Sequence, residues 1–279
     1  MKFLPTTKEE MKNLGWDSID VLLISGDTYL DTSYNGSVLV GKWLVEHGFK
    51  VGIIAQPEVD IPDDITRLGE PNLFFAVSGG CVDSMVANYT ATKKRRQQDD
   101  FTPGGVNNKR PDRAVLVYSN MIRRFFKGTT KKIVISGIES SLRRITHYDY
   151  WTNKLRKPIL FDAKADILSY GMGEMSMLQL ANALKNGEDW KNIKGLCYLS
   201  KEMKEDYLSL PSHSECLVDK DKFIEAFHTF YLNCDPITAK GLYQKCDDRY
   251  LIQNPPSERY SEEIMDKIYS MEFARDVHP

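Results

Sequence analysis

No apolar run in this sequence approaches the roughly 18 residues that a membrane-spanning helix needs, which argues against residence in a bilayer. The N-terminus, MKFLPTTKEEMKNLGW, turns charged too early to hold the apolar core of a signal peptide. A cytoplasmic protein is expected. Neither charge is in excess. With 37 Lys and Arg against 39 Asp and Glu, the net charge of −2 supplies no global field for nucleic acid, so such binding would have to come from a local cluster. Cysteine is scattered: Cys81, Cys197, Cys216, Cys234 and Cys246 include no CxxC or CxxxCxxC spacing, and they read as ordinary thiols rather than metal ligands. No GxSxG turn surrounds any serine, which argues against hydrolase chemistry through Ser140 and His147. No nucleic-acid motif of known spacing is present.

The 279 residues are ordinary globular material, with 42% hydrophobic and 27% charged side chains. Thr6 followed by Glu9 predicts a capping box and a short helix ending near Gly15. Val21 to Ser25, Val51 to Ala55, Leu73 to Val77, Ile133 to Ile135 and Ala165 to Tyr170 read as buried strands separated by helical or turn-rich segments. That alternation implies an α/β fold with a mainly parallel open sheet and flanking helices. Between the third and fourth strands, Ala114, Tyr118, Met121 and Phe125, with Val117 and Ile122, mark the apolar face of a helix entered at Pro111 and Asp112 and left at Gly128. Beyond Gly195 the sheet pattern fades, although Leu196 to Leu199 reads as one more strand. Helices are predicted over Lys222 to Tyr231 and Glu262 to Met271, with Leu251 to Pro256 extended between them. The expected division is an α/β domain over residues 1–215 and a helical and extended appendage over 216–279.

Ligands of open parallel sheets bind outside the carboxyl ends of the strands. Four predicted strands end there in small or polar residues, at Gly26-Asp27, Gly79-Gly80, Gly137 and Gly171, and the first three of these strand ends enter the candidate site. The stretch after Gly137 adds Glu139, Ser140, Arg143, Arg144, His147 and Asp149. Guanidinium groups grip carboxylate or phosphate with paired hydrogen bonds, and an imidazole exchanges protons near neutral pH. The same residues also describe a buried polar network in which Glu139, Arg143 and Asp149 satisfy one another. Between Tyr89 and Pro111 lies a long polar segment whose Lys93 to Arg96 run is offset by Asp99 and Asp100. It reads as a solvated surface loop more readily than as a nucleic-acid contact.

In order along the chain, LISGDTYLD, GFKVGIIAQP, FFAVSGGCVDSMVANYTATKKRR, TPGG, KRPDRAVLVYSNMIRR, GIESSLRRITHYDYW, DAKADILSYGMGE and IQNPP resemble the N-terminal region of YgiQ-type radical S-adenosylmethionine proteins, from about Leu23 to Pro279. The resemblance implies a cytoplasmic bacterial protein whose Rossmann-like, cobalamin-binding-domain-like region precedes a radical SAM barrel. The family's reaction is not established. It also implies a [4Fe-4S] cluster and S-adenosylmethionine held by that barrel through a CxxxCxxC motif, which is missing here. This chain is therefore expected to be truncated, to carry no catalytic residue, metal ligand or cofactor of its own, and to have the barrel as its partner. Family members resemble GDxYxDHPSFG where this chain has GDTYLDTSYNG, so Thr32 replaces a histidine and argues against cobalamin. Two further functions compete: a stand-alone module for an anionic small molecule, and an accessory domain touching RNA through Lys93 to Arg96, Arg123 and Arg124.

Overall fold

A computed structural model describes residues 2–279. The first half runs α1 (Lys8–Asn13), β1 (Val21–Ser25), α2 (Gly36–Glu46), β2 (Val51–Ala55), α3 (Pro62–Thr66), β3 (Phe74–Ser78), α4 (Ser84–Asn88), α5 (Ala114–Phe125) and β4 (Lys132–Ser136). The chain continues through α6 (Gly137–Ser141), β5 (His147–Asp149), β6 (Lys154–Arg156), α7 (Ile159–Ala163), β7 (Ile167–Ser169), α8 (Glu174–Asn186) and β8 (Leu196–Ser200). It closes with β9 (Leu208–Leu210), α9 (His213–Val218), α10 (Lys220–Leu232), β10 (Leu242–Cys246), β11 (Arg249–Gln253) and α11 (Glu262–Ser270).

Among the described residues nine strands form one sheet, in the order β2-β1-β3-β4-β7-β8-β11-β10-β9. From β2 to β7 every pairing is parallel; β8 then joins β7, and β11 joins β8 and β10, in the antiparallel sense. The chain steps outward from β1 to β2 and returns to place β3 on the other side of β1. That reversal opens a crevice at the carboxyl ends of the two strands. Side chains alternate across the sheet: Leu22 and Ile24 pack with Tyr118, Ile122 and Leu160 on one face, whereas Val21 and Leu23 pack with Trp43, Leu44 and Leu180 on the other. Two apolar layers therefore fix which strand ends are open.

The first expected strands are observed as predicted, and the next three shift by one or two residues. The capping box is displaced by one position: Thr7 caps α1, and Glu10 reaches back to the backbone N–H of Thr7. Arg113, in a left-handed conformation (φ +54°), enters α5, while Asp112 accepts hydrogen bonds from Asn88 and Tyr89. The expected boundary at 215/216 falls inside α9, and residues beyond it add β10 and β11 to the main sheet. Their alternation was obscured by a buried polar side chain. Gln244 faces inward, accepting from the Thr146 backbone at 2.9 Å and donating to the Pro211 carbonyl at 2.9 Å. The 89–111 segment differs from a solvated loop, because Asp99, Thr102, Asn107 and Arg110 are buried while Lys93 to Arg96 are exposed.

Candidate functional site

At the carboxyl edge, the glycines after β1 and β3 make room for the chain's own groups. A Cβ on Gly26 would overlap the Gly79 carbonyl, and one on Gly79 would meet Glu139 Oε2 at 2.5 Å. Gly80, at φ +111°, lies against the Asp27 carboxylate. Asp27 is fully buried. It is paired with Arg110 at 2.5 Å and accepts from the Cys81 N–H at 2.6 Å, while Arg110 Nε donates to the Gly26 carbonyl at 2.9 Å. Asp99 lies 3.0 Å from the other side of the same guanidinium. Burial pushes the Asp27 carboxyl up, and the Arg110 charge pulls against that rise.

Glu139 lies where the starts of α4 and α5 converge. Its carboxylate accepts from the Ser84 N–H at 2.9 Å, at the start of α4, and from the Val115 N–H at 3.2 Å, at the start of α5. Burial first, and then the nearby Asp83 charge, raise its pKa. Arg143 pairs with Asp83 and donates to the Glu139 carbonyl at 3.0 Å. Asp149 pairs with Arg113 at 2.8 Å; against the upward push of burial, hydrogen bonds from Thr152 and Arg113 hold its pKa down to about 2. Ser140 is buried, with its hydroxyl unpartnered among the described residues. Arg144 turns away, bonding Gln253 at 3.0 Å and lying between the rings of Tyr170 and Phe230, with centroids 4.5 and 4.2 Å away. Burial lowers the His147 pKa to about 4, so its ring is neutral at pH 7. Its Nδ1 is 3.1 Å from the Ile145 carbonyl and must carry the proton, which leaves Nε2 as an acceptor.

The expected residues thus divide among four places rather than forming one anion clamp. Gly26, Asp27, Gly79 and Glu139 belong to a buried network, Ser140 is buried beside it with its hydroxyl unpartnered among the described residues, and Arg144 packs against the antiparallel part of the sheet. Arg143, His147 and Asp149 line a groove beside the β5–β6 hairpin. Gly80 and Gly137 line a cavity of about 240 Å³ at the ends of β1, β3, β4 and β7. That cavity also presents Ser37, Ser78, Ser136 and Ser169, and the first turns of α2 and α8 open onto it without side-chain caps. None of these four serines is among the residues expected at the site. The signal was present: β1, β3, β4 and β7 each end in serine, at Ser25, Ser78, Ser136 and Ser169.

A family model described as Radical SAM N-terminal matches residues 3–279. The chain belongs to that family. A UPF0313 protein of Fusobacterium nucleatum is 98% identical over all of this chain and 49% of its own length. A UPF0313 protein of Thermotoga neapolitana is 50% identical over 99% of this chain and 49% of its own, and one of Methanocaldococcus jannaschii is 49% identical over 99% and 46%. This radical SAM N-terminal chain therefore spans about half the length of the curated relatives it matches. Among solved structures, the radical S-adenosylmethionine methyltransferase TsrM of Kitasatospora setae, with cobalamin and a [4Fe-4S] cluster bound, aligns over 65% of this chain and 27% of its own. The TM-score is 0.43 and the identity 17%.

The donor set of this radical SAM N-terminal chain does not fit an iron–sulfur cluster. Among the described residues no three Cys, His, Asp or Glu side chains gather as metal ligands. Cys197 and Cys246 are buried in the sheet, where burial pushes both thiols up to about 12, and Cys234 is exposed on its own. Among the described residues the buried Thr32 hydroxyl has no partner, and Thr32 lines a separate cleft with Tyr34, Tyr260 and Tyr269 to which none of those residues brings an imidazole. No helix among the described residues is long and apolar enough to cross a membrane.

Proposed function

We propose that this chain is the N-terminal domain of a radical SAM iron–sulfur protein, and that its sheet edge forms the substrate side of a site completed by a radical SAM barrel. The supporting observation is the cavity over β1, β3, β4 and β7, in a family whose members here run to about twice this length. In this reading the [4Fe-4S] cluster and S-adenosylmethionine belong to the barrel, and residues 1–215 and 216–279 act together as a non-catalytic platform. This reading keeps the expectation against cobalamin, whose support is that the loop beginning at Gly26 offers Thr32 rather than an imidazole. The domain is assigned to the cytoplasm. The test is anaerobic reconstitution of this chain, and of a full-length relative, with iron and sulfide. The full-length protein is expected to gain cluster absorbance and to cleave S-adenosylmethionine on reduction, while this chain does neither. A stable cluster on this chain alone would overturn the division of labour.

A second reading, a stand-alone module for an anionic small molecule, is supported by the uncapped first turns of α2 and α8 and the hydroxyls around them.

A further inference from the structure

A groove of about 470 Å³ lies between the β5–β6 hairpin, α4 and the loop that follows α4. Its walls carry Tyr89, Tyr148, Tyr150 and Trp151, together with Val86 and Leu142. Tyr148 and Tyr150 are 50% and 58% exposed, yet both are held in place. The Tyr148 hydroxyl donates to Asn153 at 2.7 Å, and that of Tyr150 donates to the Ala91 carbonyl at 2.9 Å. Tyr89 and Trp151 pack on each other with ring centroids 4.4 Å apart. Four aromatic rings thus surround an open concavity.

The charges around this groove do not cancel. Asp83, Asp112 and Asp149 are each paired with an arginine: Arg143, Arg95 and Arg113 respectively. Among the described residues, Lys93 and Arg96 have no carboxylate partner, and both are exposed. Lys93 Nζ lies 4.9 Å from the Tyr150 ring centroid, and Arg96 Nε is anchored to the Val86 and Tyr89 carbonyls at 3.1 Å each. The rim is thus positive and oriented. His147 adds an acceptor, Nε2, with its proton fixed on Nδ1 by the Ile145 carbonyl.

We propose that this groove binds a mononucleotide, with the base against Tyr148 and Tyr150, a ring or exocyclic N–H donated to His147 Nε2, and the phosphate held by Lys93 and Arg96. Aromatic faces accept any base, and a guanidinium with an ammonium matches a phosphate better than a neutral ligand. The volume falls within the roughly 300–1,000 Å³ of small-molecule sites and so suits one nucleotide.

The test is calorimetric titration of this chain with the ribonucleoside 5′-monophosphates at low salt, with adenosine, inorganic phosphate and a short single-stranded RNA as separate probes. At least one monophosphate is expected to saturate, more tightly than adenosine or phosphate alone. Arg96→Gln should weaken that nucleotide about tenfold while leaving adenosine unchanged, because it removes a charge-assisted contact to phosphate. Tyr150→Leu should weaken nucleotide and adenosine together by about tenfold through lost stacking. Lys93→Gln repeats the phosphate arm if circular dichroism shows that Arg96→Gln is unfolded. No saturable heat with any monophosphate, or binding indifferent to these substitutions, would overturn the assignment. Tighter, steeply salt-dependent binding of the RNA would replace it with a nucleic-acid strand. These side chains lie outside the sheet-edge cavity, so either outcome leaves the platform reading standing.

Discussion

Replacing Arg110 with methionine tests whether the crevice between β1 and β3 is held shut from inside. The guanidinium has no solvent exposure, and the carboxylates of Asp27 and Asp99 that face it are only 1% and 3% exposed. Methionine keeps most of the stem's packing but leaves two buried carboxylates without their cation. Breaking a buried ion pair by removing one partner costs about 3–5 kcal/mol. For a chain of this size that lowers the melting temperature by on the order of 10 °C. Urea unfolding followed by circular dichroism measures the loss. Its pH dependence carries a definite sign. Burial already raises the Asp27 pKa and Arg110 opposes that rise, so without Arg110 the folded-state value moves further above the unfolded one. A carboxyl whose folded pKa is raised binds its proton more tightly in the native state, and acidification then favours folding. The deficit of Arg110→Met should therefore be largest at neutral pH and shrink as pH falls through the folded pKa toward the unfolded value. Adding Asp27→Asn should recover part of the loss at pH 7. A deficit below about 1 kcal/mol at pH 7, less than a buried ion pair requires, or one that widens on acidification, would refute the reasoning.

Two further outcomes follow from the same edge. Gly80→Ala places a methyl group against the Asp27 carboxylate at φ +111° and should cost about 2 kcal/mol or more. Gly171→Ala, at φ +74° with open space around it, should cost roughly 1 kcal/mol, and equal losses in thermal melts would contradict the packing described. His147, with its pKa lowered by burial from 6.5 to about 4, contributes stability that is fully present above pH 6.5 and lost as pH falls toward 4. That contribution is at most about 3 kcal/mol and smaller after solvent screening. His147→Gln should flatten this part of the acid limb, and an imidazole NMR resonance titrating near pH 6.5 would show that the ring is solvated instead.

Much of the parallel half of the fold was legible because its strands are uninterrupted apolar runs. A sheet covered on both faces leaves no polar residue inside these runs to blur them, as in Val21 to Ile24 of β1 and Val51–Ala55. The antiparallel half was harder to read. In β10 the sequence LYQKC buries Gln244 among Leu242 and Cys246, and β9 is only three residues long. The hairpin of β5 and β6 was invisible for the same reason, since His147, Tyr148 and Asp149 look like a polar loop until their partners are known. The candidate residues were recognised as a charged, glycine-rich set, but their grouping was not. Arg143 and Arg144 are neighbours in sequence, yet one pairs with Asp83 and the other reaches Gln253.

The order of motifs was enough, by itself, to identify the family, and none of the five cysteines stands in CxxxCxxC spacing. Hydrophobic patterning likewise determined the β1-to-β4 core, because burial on both faces is written directly into residue type. Tertiary structure alone decided which polar residues are occupied internally and which remain available. Glu139 looked like a ligand group and proved to hold the first turns of α4 and α5, because two helix N-termini converge on it. Lys93 and Arg96 looked like an ordinary solvated run and proved to edge an aromatic groove. A side chain's chemistry is local, but its partners are set by long-range contacts that no spacing along the chain encodes.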